Sequence, residues 1–382
     1  MKILMLNYEF PPIGGGAANA NLCLLKQYAD NSNLQVDVLT SAPKPGILTE
    51  KFADNITIYK VGIHKKHLHF WRRTEVIEWL FKAGFLYKKL IRENDYKFAH
   101  AFFGFPTGWL CYRNADKLPY IISLRGSDVP GDNARLKLDY KILGPVFKSI
   151  WKKAEILIAC SEGLKSRALN FLPSADIDVI PNGVELDKYY PAETKQYSDE
   201  LKLITAGRLS PTKRMDMLIE AIDIAQQKGL KIRFTIAGGG AGEQSLKQMV
   251  SEKKLDSCIE ILGRVGPEKM PDLYRNSDIY ISASMLEGMS NSMLEALACG
   301  LPIITTRCEG LDELLNSNNG VIVENAGPEE ISNAIIKLNN DRQKLKKMSI
   351  AARQQAENFS WTLTAERYVQ LYEQQCINKG DV

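Results

Sequence analysis

Shortages narrow this sequence before any motif does. Charge of one sign is missing: 49 Lys and Arg stand against 45 Asp and Glu, a formal +4, too even for a dedicated nucleic-acid binder, so a basic face has to be sought locally. Long apolar runs are missing as well. None approaches the roughly 20 residues of a membrane-spanning helix, so contact with a bilayer is expected to be peripheral. Met1 to Leu6 is apolar, but Asn7, Glu9, Pro11 and Pro12 interrupt it before a signal-peptide core forms, and it reads as a first strand. The seven cysteines (Cys23, Cys111, Cys160, Cys258, Cys299, Cys308 and Cys376) are odd in number, include no C-x-x-C pair and fall partly in apolar runs. They read as reduced, buried thiols of a cytoplasmic protein. There is no low-complexity tract, collagen-like period or heptad array. Neither glycine cluster completes the dinucleotide fingerprint G-x-G-x-x-G: the third glycine falls on Asn19 in the first, and on Glu243 or Ser245 in the second. A nicotinamide-dependent oxidoreductase is therefore unsupported.

What is present is length and alternation. At 382 residues and 45% apolar composition the chain exceeds what one core usually organises, and two domains are expected. Short Val, Ile and Leu runs at 2–6, 36–39, 56–61, 98–101, 120–124, 156–160 and 177–180 alternate with longer mixed segments. A second series follows Pro181-Asn182-Gly183, at 201–206, 233–237, 259–262, 279–282, 302–305 and 320–323. Strands apolar on both faces belong to parallel sheets covered by helices on both sides, so the fold class is α/β, with two Rossmann-like doubly wound domains facing a central cleft. Residues 186–200 are polar, carry Pro191 and lack periodicity, which suits a linker. The domains read as 1–185 and 186–358, with 359–382 a final helix, capped by Ser360, packing back on the first. In such sheets ligands bind beyond the carboxyl ends of the strands, in the loops that follow each run.

Three of those loops carry chemistry. Gly14-Gly15-Gly16 sits between the first strand and a helix, where glycines permit close backbone approach and a helix N-terminus favours phosphate; a tight turn is the alternative. The run Gly238-Gly239-Gly240-Ala241-Gly242 reads more simply as a structural turn. After 201–206, Gly207-Arg208-Leu209-Ser210-Pro211-Thr212-Lys213 places two cations on one short loop, suited to a diphosphate, with solvated surface charge as the alternative. The sequence Glu287-Gly288-Met289-Ser290-Asn291-Ser292-Met293-Leu294-Glu295 spans a loop-to-helix transition. Ser290 or Asn291 caps the helix, Glu295 lies about one turn inside it and Glu287 stays in the loop, so the two acids reach different hydroxyls of one ligand. Two surface glutamates beside an ordinary cap are the plain reading of an isolated match.

In this order, with PYIISLRGSDVPG, VIPNGVELDKYYP, GRLSPTKRMDMLIEA, LGRV, EGMSNSMLEALACGLPII and a closing FSW, the chain resembles the family 4 retaining glycosyltransferases (glycosyl transferases group 1) of GT-B fold across nearly its whole length. The resemblance implies that Arg208 and Lys213 bind the donor's diphosphate, with Gly15 and Gly16 reaching it from the N-terminal domain. It further implies that Glu295 binds the ribose, that Glu287 contacts the transferred sugar, that Gly288 and Ser290 to Met293 add backbone donors, and that Gly263, Arg264 and Val265 border the nucleobase. No cofactor or metal is implied beyond the nucleotide-sugar donor, and His64, His67, His69 and His100 make no ligand set. Many members carry His-x-His where this chain has His100-Ala101-Phe102; His100 is thus a catalytic candidate, with a buried structural histidine as its alternative. Arg125 and Asp128 are expected at the acceptor side, where Asp128 suits a turn cap and Arg125 either pairs with it or faces a phosphate.

Residues 60–92 hold nine Lys or Arg against Glu75 and Glu78, interleaved with Phe70, Trp71, Trp79, Leu80, Phe81, Phe85, Leu86 and Tyr87. That mixture suits a helix resting on an anionic membrane surface, and its alternative is a core helix with solvated lysines. The expected function is transfer of a hexosyl unit from a UDP-sugar, with GDP next, to a glycan or lipid-linked glycan in surface polysaccharide or lipopolysaccharide biosynthesis, in the cytoplasm or peripherally on the membrane's cytoplasmic face. A GT-B epimerase or phosphorylase, or a degenerate nucleotide-sugar-binding subunit, is the competing reading.

Overall fold

Strands apolar on both faces leave no solvent side, so the apolar runs gather into sheets covered by helices above and below. The computed structural model describes residues 1–68, 70–131, 137–195, 197–285 and 287–377; His69 lies outside the described residues. The chain divides into two units, Met1–Asn182 together with the chain from Trp361, and Gly183–Ser360.

The first unit's sheet has, among the described residues, β1 (Lys2–Leu6), β2 (Gln35–Ala42), β3 (Gly46–Ala53), β4 (Ile56–Gly62), β5 (Ala99–Phe102), β6 (Tyr120–Ser123), β7 (Leu157–Ala159) and β8 (Ile177–Val179), in the order β3-β4-β2-β1-β5-β6-β7-β8. Neighbours are parallel except β3, which lies antiparallel on β4. Strand β3 was not among the expected runs. It is an edge strand, exposed from Gly46 to Lys51, and so carries no apolar alternation to read. Helices α1 (Gly16–Tyr28), α2 (Arg73–Glu93), α3 (Thr107–Tyr112), α4 (Lys137–Lys153) and α5 (Glu162–Phe171) follow their strands in doubly wound fashion.

The aromatics of residues 60–92 do not share one role. Trp79, Ala83, Leu86, Tyr87 and Leu90 form the inward stripe of α2, and Trp71 is also buried, whereas Phe70, Phe81 and Phe85 are exposed. A 3.6-residue period sorts neighbours in sequence onto opposite faces, so only part of that list can meet a partner.

In the second unit β9 (Leu201–Ala206), β10 (Ile232–Ala237), β11 (Ile259–Gly263), β12 (Ile279–Ser282), β13 (Ile303–Thr306) and β14 (Gly320–Val323) are ordered β11-β10-β9-β12-β13-β14 and are all parallel. Counted from β9 this is 3-2-1-4-5-6, the order of dinucleotide-binding sheets, with its reversal between β9 and β12. Helices α6 (Met215–Gln227), α7 (Glu243–Glu252), α8 (Met270–Arg275), α9 (Asn291–Ala298), α10 (Pro328–Asn339) and α11 (Arg342–Glu357) connect or flank these strands. The polar 186–200 segment belongs to this unit: Tyr189 is buried, and the Arg353 guanidinium donates to the Tyr189 carbonyl at 2.9 Å.

The chain then re-enters the first unit as α12 (Trp361–Ile377), which brings Tyr368 and Tyr372 into its core. There they meet His100. Its Nδ1 lies 2.7 Å from the Tyr372 hydroxyl and its Nε2 2.8 Å from Ser123 Oγ, which in turn lies 2.9 Å from the Tyr368 hydroxyl. His100 has no exposed surface, and burial, with Arg125 nearby, lowers its pKa to about 3. The catalytic role expected of His100 is therefore corrected: both ring nitrogens are spent inside the core, and the neutral imidazole ties α12 to β5 and β6.

Candidate active site

The reversal between β9 and β12 leaves two loops side by side at the carboxyl ends of the strands, and the expected donor residues stand on them. The loop after β9 is positioned backbone to backbone by the second glycine run. Gly207 N–H donates to the Ala237 carbonyl at 3.0 Å, Leu209 N–H to Gly239 at 3.1 Å, and Gly242 N–H returns to Leu209 at 3.1 Å. A Cβ on Gly238 would lie 1.8 Å from the Gly207 carbonyl oxygen, and one on Gly240 would lie 2.6 Å from that of Leu209. These glycines exist for close approach, so the structural reading of that run holds. Arg208, carried at the loop's tip, is exposed, and among the described residues its guanidinium has no partner.

Further along, Lys213 turns to the facing loop and pairs with Glu287, both side chains being largely buried (18% and 14% exposed). Arg214 stitches the same seam. It adopts a left-handed backbone (φ +46°), a conformation costing an L-residue about 1–2 kcal/mol, while its Nε donates to the Ala283 carbonyl at 2.6 Å and an Nη to Thr306 Oγ1 at 2.9 Å. Met285 N–H adds a 2.9 Å bond to the Thr212 carbonyl. The strand ends of β9, β12 and β13 are thus held as one rim.

Beyond Glu287 and Gly288, Ser290 is the N-cap of α9, its hydroxyl accepting from Met293 N–H at 3.4 Å. Ser292 Oγ lies 2.8 Å from the Tyr280 hydroxyl, which also donates to the Ala206 carbonyl at 3.1 Å. Asn291 begins the helix and Met293 is buried under it. Glu295 faces tyrosines: Tyr274 donates to its Oε2 at 3.0 Å and Tyr189 also hydrogen-bonds its carboxyl. Burial pushes the Glu295 pKa up to about 7, against the downward pull of Tyr274, Lys188 and Tyr189. Gly263, with a left-handed φ of +66°, ends β11 and accepts from Gly238 N–H, leaving Arg264 exposed beside Gly239 and Val265 partly buried.

The first unit has its own reversal, between β1 and β5. Gly14 needs its positive φ of +100°, and a Cβ there would lie 2.7 Å from that of Glu9. Gly15 caps α1 and a Cβ on it would meet nothing within 4 Å, so the backbone is open to approach, and Gly16 starts the helix. Asp128 caps its turn, accepting from Gly104 N–H at 2.7 Å and Arg125 N–H at 2.8 Å, and burial raises its pKa against those bonds. The Arg125 guanidinium goes to Asn182 Oδ1 at 2.8 Å and lies 5.3 Å from the Phe102 ring centre.

Residues 188–355 match the family model described as glycosyl transferases group 1, and residues 14–188 match that of glycosyltransferase family 4. The chain belongs to the group 1, family 4 glycosyltransferases. An uncharacterized glycosyltransferase of Methanocaldococcus jannaschii is 33% identical over 248 residues, covering 62% of this chain and 63% of that protein. The GPI3 subunit of phosphatidylinositol N-acetylglucosaminyltransferase from Saccharomyces cerevisiae is 30% identical over 203 residues, 51% of this chain and 45% of the subunit. The chain thus spans less than two thirds of the length of these curated relatives. HepE from Anabaena, solved in complex with UDP-glucose, superposes with a TM-score of 0.73 at 19% identity, over 98% of this chain and 100% of HepE. The fold of this glycosyltransferase is GT-B.

Sequence reasoning overlooked Arg214, Tyr189, Tyr274 and Tyr280. Arg214 adjoins Lys213 and was legible as a third cation, but the tyrosines reach α9 from elsewhere in the chain and leave no local signal. The raised Glu295 pKa has a signed consequence. Between the ordinary glutamate pKa of about 4.3 and about 7 the folded chain binds the extra proton, so this group's contribution to stability is present in acid and lost as pH rises through about 7. Glu295→Gln, which cannot ionise, is therefore expected to gain in melting temperature relative to the unmodified chain as pH goes from 5 to 8. A difference constant over that range would contradict the assignment.

Proposed function

We propose that this chain transfers a hexosyl unit from a nucleoside diphosphate sugar, UDP before GDP, to a glycan or lipid-linked glycan in surface polysaccharide or lipopolysaccharide assembly. The observation that carries the reading is the pairing of Lys213 with Glu287 across the β9/β12 reversal, beside an unpartnered Arg208 and the capped start of α9. Two cations and a helix N-terminus suit a diphosphate, and two acids suit hydroxyls. In this reading Arg208 and Lys213 hold the diphosphate, the backbone from Gly288 to Met293 adds donors, Glu287 takes a hydroxyl of the transferred sugar and Glu295 one of the ribose. Gly263 to Val265 border the base, and Arg125 and Asp128 serve the acceptor. The UDP-glucose bound to HepE supports a UDP donor, and the phosphatidylinositol in the yeast relative's name supports a lipid-linked acceptor near an anionic membrane surface, the partner expected of residues 60–92.

Transfer proceeds with retention, on one face of the sugar and without a bound metal. Glu287 is engaged by Lys213 and Glu295 by tyrosines, so neither is presented as a free nucleophile. The acceptor hydroxyl attacks the anomeric carbon from the side on which the diphosphate leaves. The new C–O bond forms as the old one breaks, and the hydroxyl proton passes to the departing phosphate oxygen. Arg208, Lys213 and the α9 amides stabilise the charge that builds there.

Arg208→Ala is expected to lower turnover ~10²–10³-fold, as loss of one charge-stabilising donor does. Release of nucleoside diphosphate from UDP- and GDP-sugars, followed with and without membrane extract and with EDTA, checks it. Unchanged turnover would remove Arg208 from the reaction, sugar rearranged without transfer would indicate an epimerase, and binding without release would indicate a degenerate subunit.

A second outcome follows from the ion pair. A diphosphate must take Lys213 from a carboxylate, so Glu287→Gln is expected to bind UDP about fivefold more tightly, the ~1 kcal/mol of one charge at ~4 Å in water-like screening, while transferring sugar more slowly. Titration calorimetry with UDP measures the first part, and weaker binding by the variant would contradict it.

A further inference from the structure

Helix α2 has two apolar faces where covering a sheet requires one. Its inward stripe packs in the core, but Ile77, Phe81 and Phe85, spaced four residues apart, are 65%, 68% and 64% exposed. The rings of Phe81 and Phe85 meet edge to face, 4.9 Å between centres, so they form one continuous patch. Helix α4 repeats the arrangement, with Phe147, Ile150 and Trp151 inward and Leu138 and Ile142 exposed. An ion pair between Arg73 and Asp139 at 3.0 Å ties the first turns of the two helices together, so the two bare stripes start side by side. A contiguous exposed apolar patch on a soluble fold marks an interaction site rather than chance.

Charge decides what covers it. The acids nearby are already engaged: Glu78 with Lys82 and His64, Asp139 with Arg73, and Glu93 with Arg92. Lys88, Lys137 and Lys141 are exposed and enter no ion pair among the described residues, leaving the patch bordered by a positive excess. A second copy docked about a two-fold axis would set these cations against themselves. No helix among the described residues is long and apolar enough to cross a membrane.

We propose that the outward faces of α2 and α4 dock this chain on an anionic bilayer, with Ile77, Phe81, Phe85, Leu138 and Ile142 entering the interface and the bordering lysines meeting lipid headgroups. The proposal rests on the transferase reading for its purpose, which is to bring the chain to a lipid-linked acceptor, but it uses none of the donor residues. The geometry divides the work: aromatic and aliphatic side chains supply area, and lysines supply selection for negative lipid.

The test is co-sedimentation of the full chain with vesicles of phosphatidylcholine alone or mixed with phosphatidylglycerol, at low and high salt. Binding is expected to the mixed vesicles and to weaken with salt. Phe81→Ser with Phe85→Ser is expected to lower partitioning ~10–100-fold, and Lys88→Glu with Lys141→Glu about tenfold or more. All four side chains are exposed, so melting temperatures should stay unchanged, and a retained melt excludes misfolding as the cause. Failure of the unmodified chain to bind mixed vesicles, or variants that bind as it does, overturns the proposal. So does a dimer in solution that the serine pair dissolves while vesicles are ignored. UDP and GDP binding measured on the same samples separates the two readings: nucleotide bound without vesicles overturns the docking face alone, and vesicles bound with neither nucleotide overturn the transferase alone.

Discussion

Lys213 and Glu287 are 74 residues apart in sequence and meet because the sheet order makes β9 and β12 neighbours. Parallel strands that reverse their winding direction leave a gap at their carboxyl ends, and the two loops bordering that gap have to be fixed to one another if a ligand is to find them in register. Here one buried ion pair spans the gap, seconded by Arg214 on the Ala283 carbonyl and Thr306 and by glycines that let the Gly207 loop lie on the Gly238 loop with no side chain between. A side chain at Gly238 would collide with the Gly207 carbonyl and lift Arg208 off the rim. The residues proposed to hold the donor are thus placed by strand order first, by backbone contact second and by their own pairing last.

The same seam explains how a charged site persists without a ligand. Lys213 is not left bare in a partly buried position, because Glu287 neutralises it; in the proposed function a diphosphate takes the place of that carboxylate. Glu295 is handled differently. Burial raises its pKa to about 7, while hydrogen bonds from tyrosine hydroxyls favour the carboxylate, so the charge it carries when ionised is not left without partners. Acids eight positions apart in one motif thus have different environments, one ion-paired and the other hydrogen-bonded to tyrosine.

How much of this was legible depended on distance in sequence. The strands of both sheets were readable because a parallel strand is apolar on both faces, and the cap of α9 was readable as Ser290 or Asn291 because such residues before an apolar periodic stretch favour an N-cap, which the structure gives to Ser290. Edge strand β3 was not, since a strand exposed along most of its length carries no pattern. His100 was placed correctly on its strand but could not be assigned without α12, whose Tyr372 bonds its ring and whose Tyr368 bonds its partner Ser123, both from more than two hundred residues away. The aromatics of residues 60–92 were visible as a group, yet only the helix phase separates Trp79 and Tyr87, which hold the core, from Phe81 and Phe85, which do not. Tyr274 and Tyr189 left no trace at all, because nothing near either residue announces a carboxylate reached through the fold.

The central claim is that the β9/β12 seam is where a nucleoside diphosphate binds, and the most direct measurement is a crystal structure of the chain with UDP. The account predicts the diphosphate between Arg208 and Lys213, a ribose hydroxyl on Glu295, and Lys213 released from Glu287. UDP bound elsewhere on the chain, with the Lys213 and Glu287 pair intact, would contradict it.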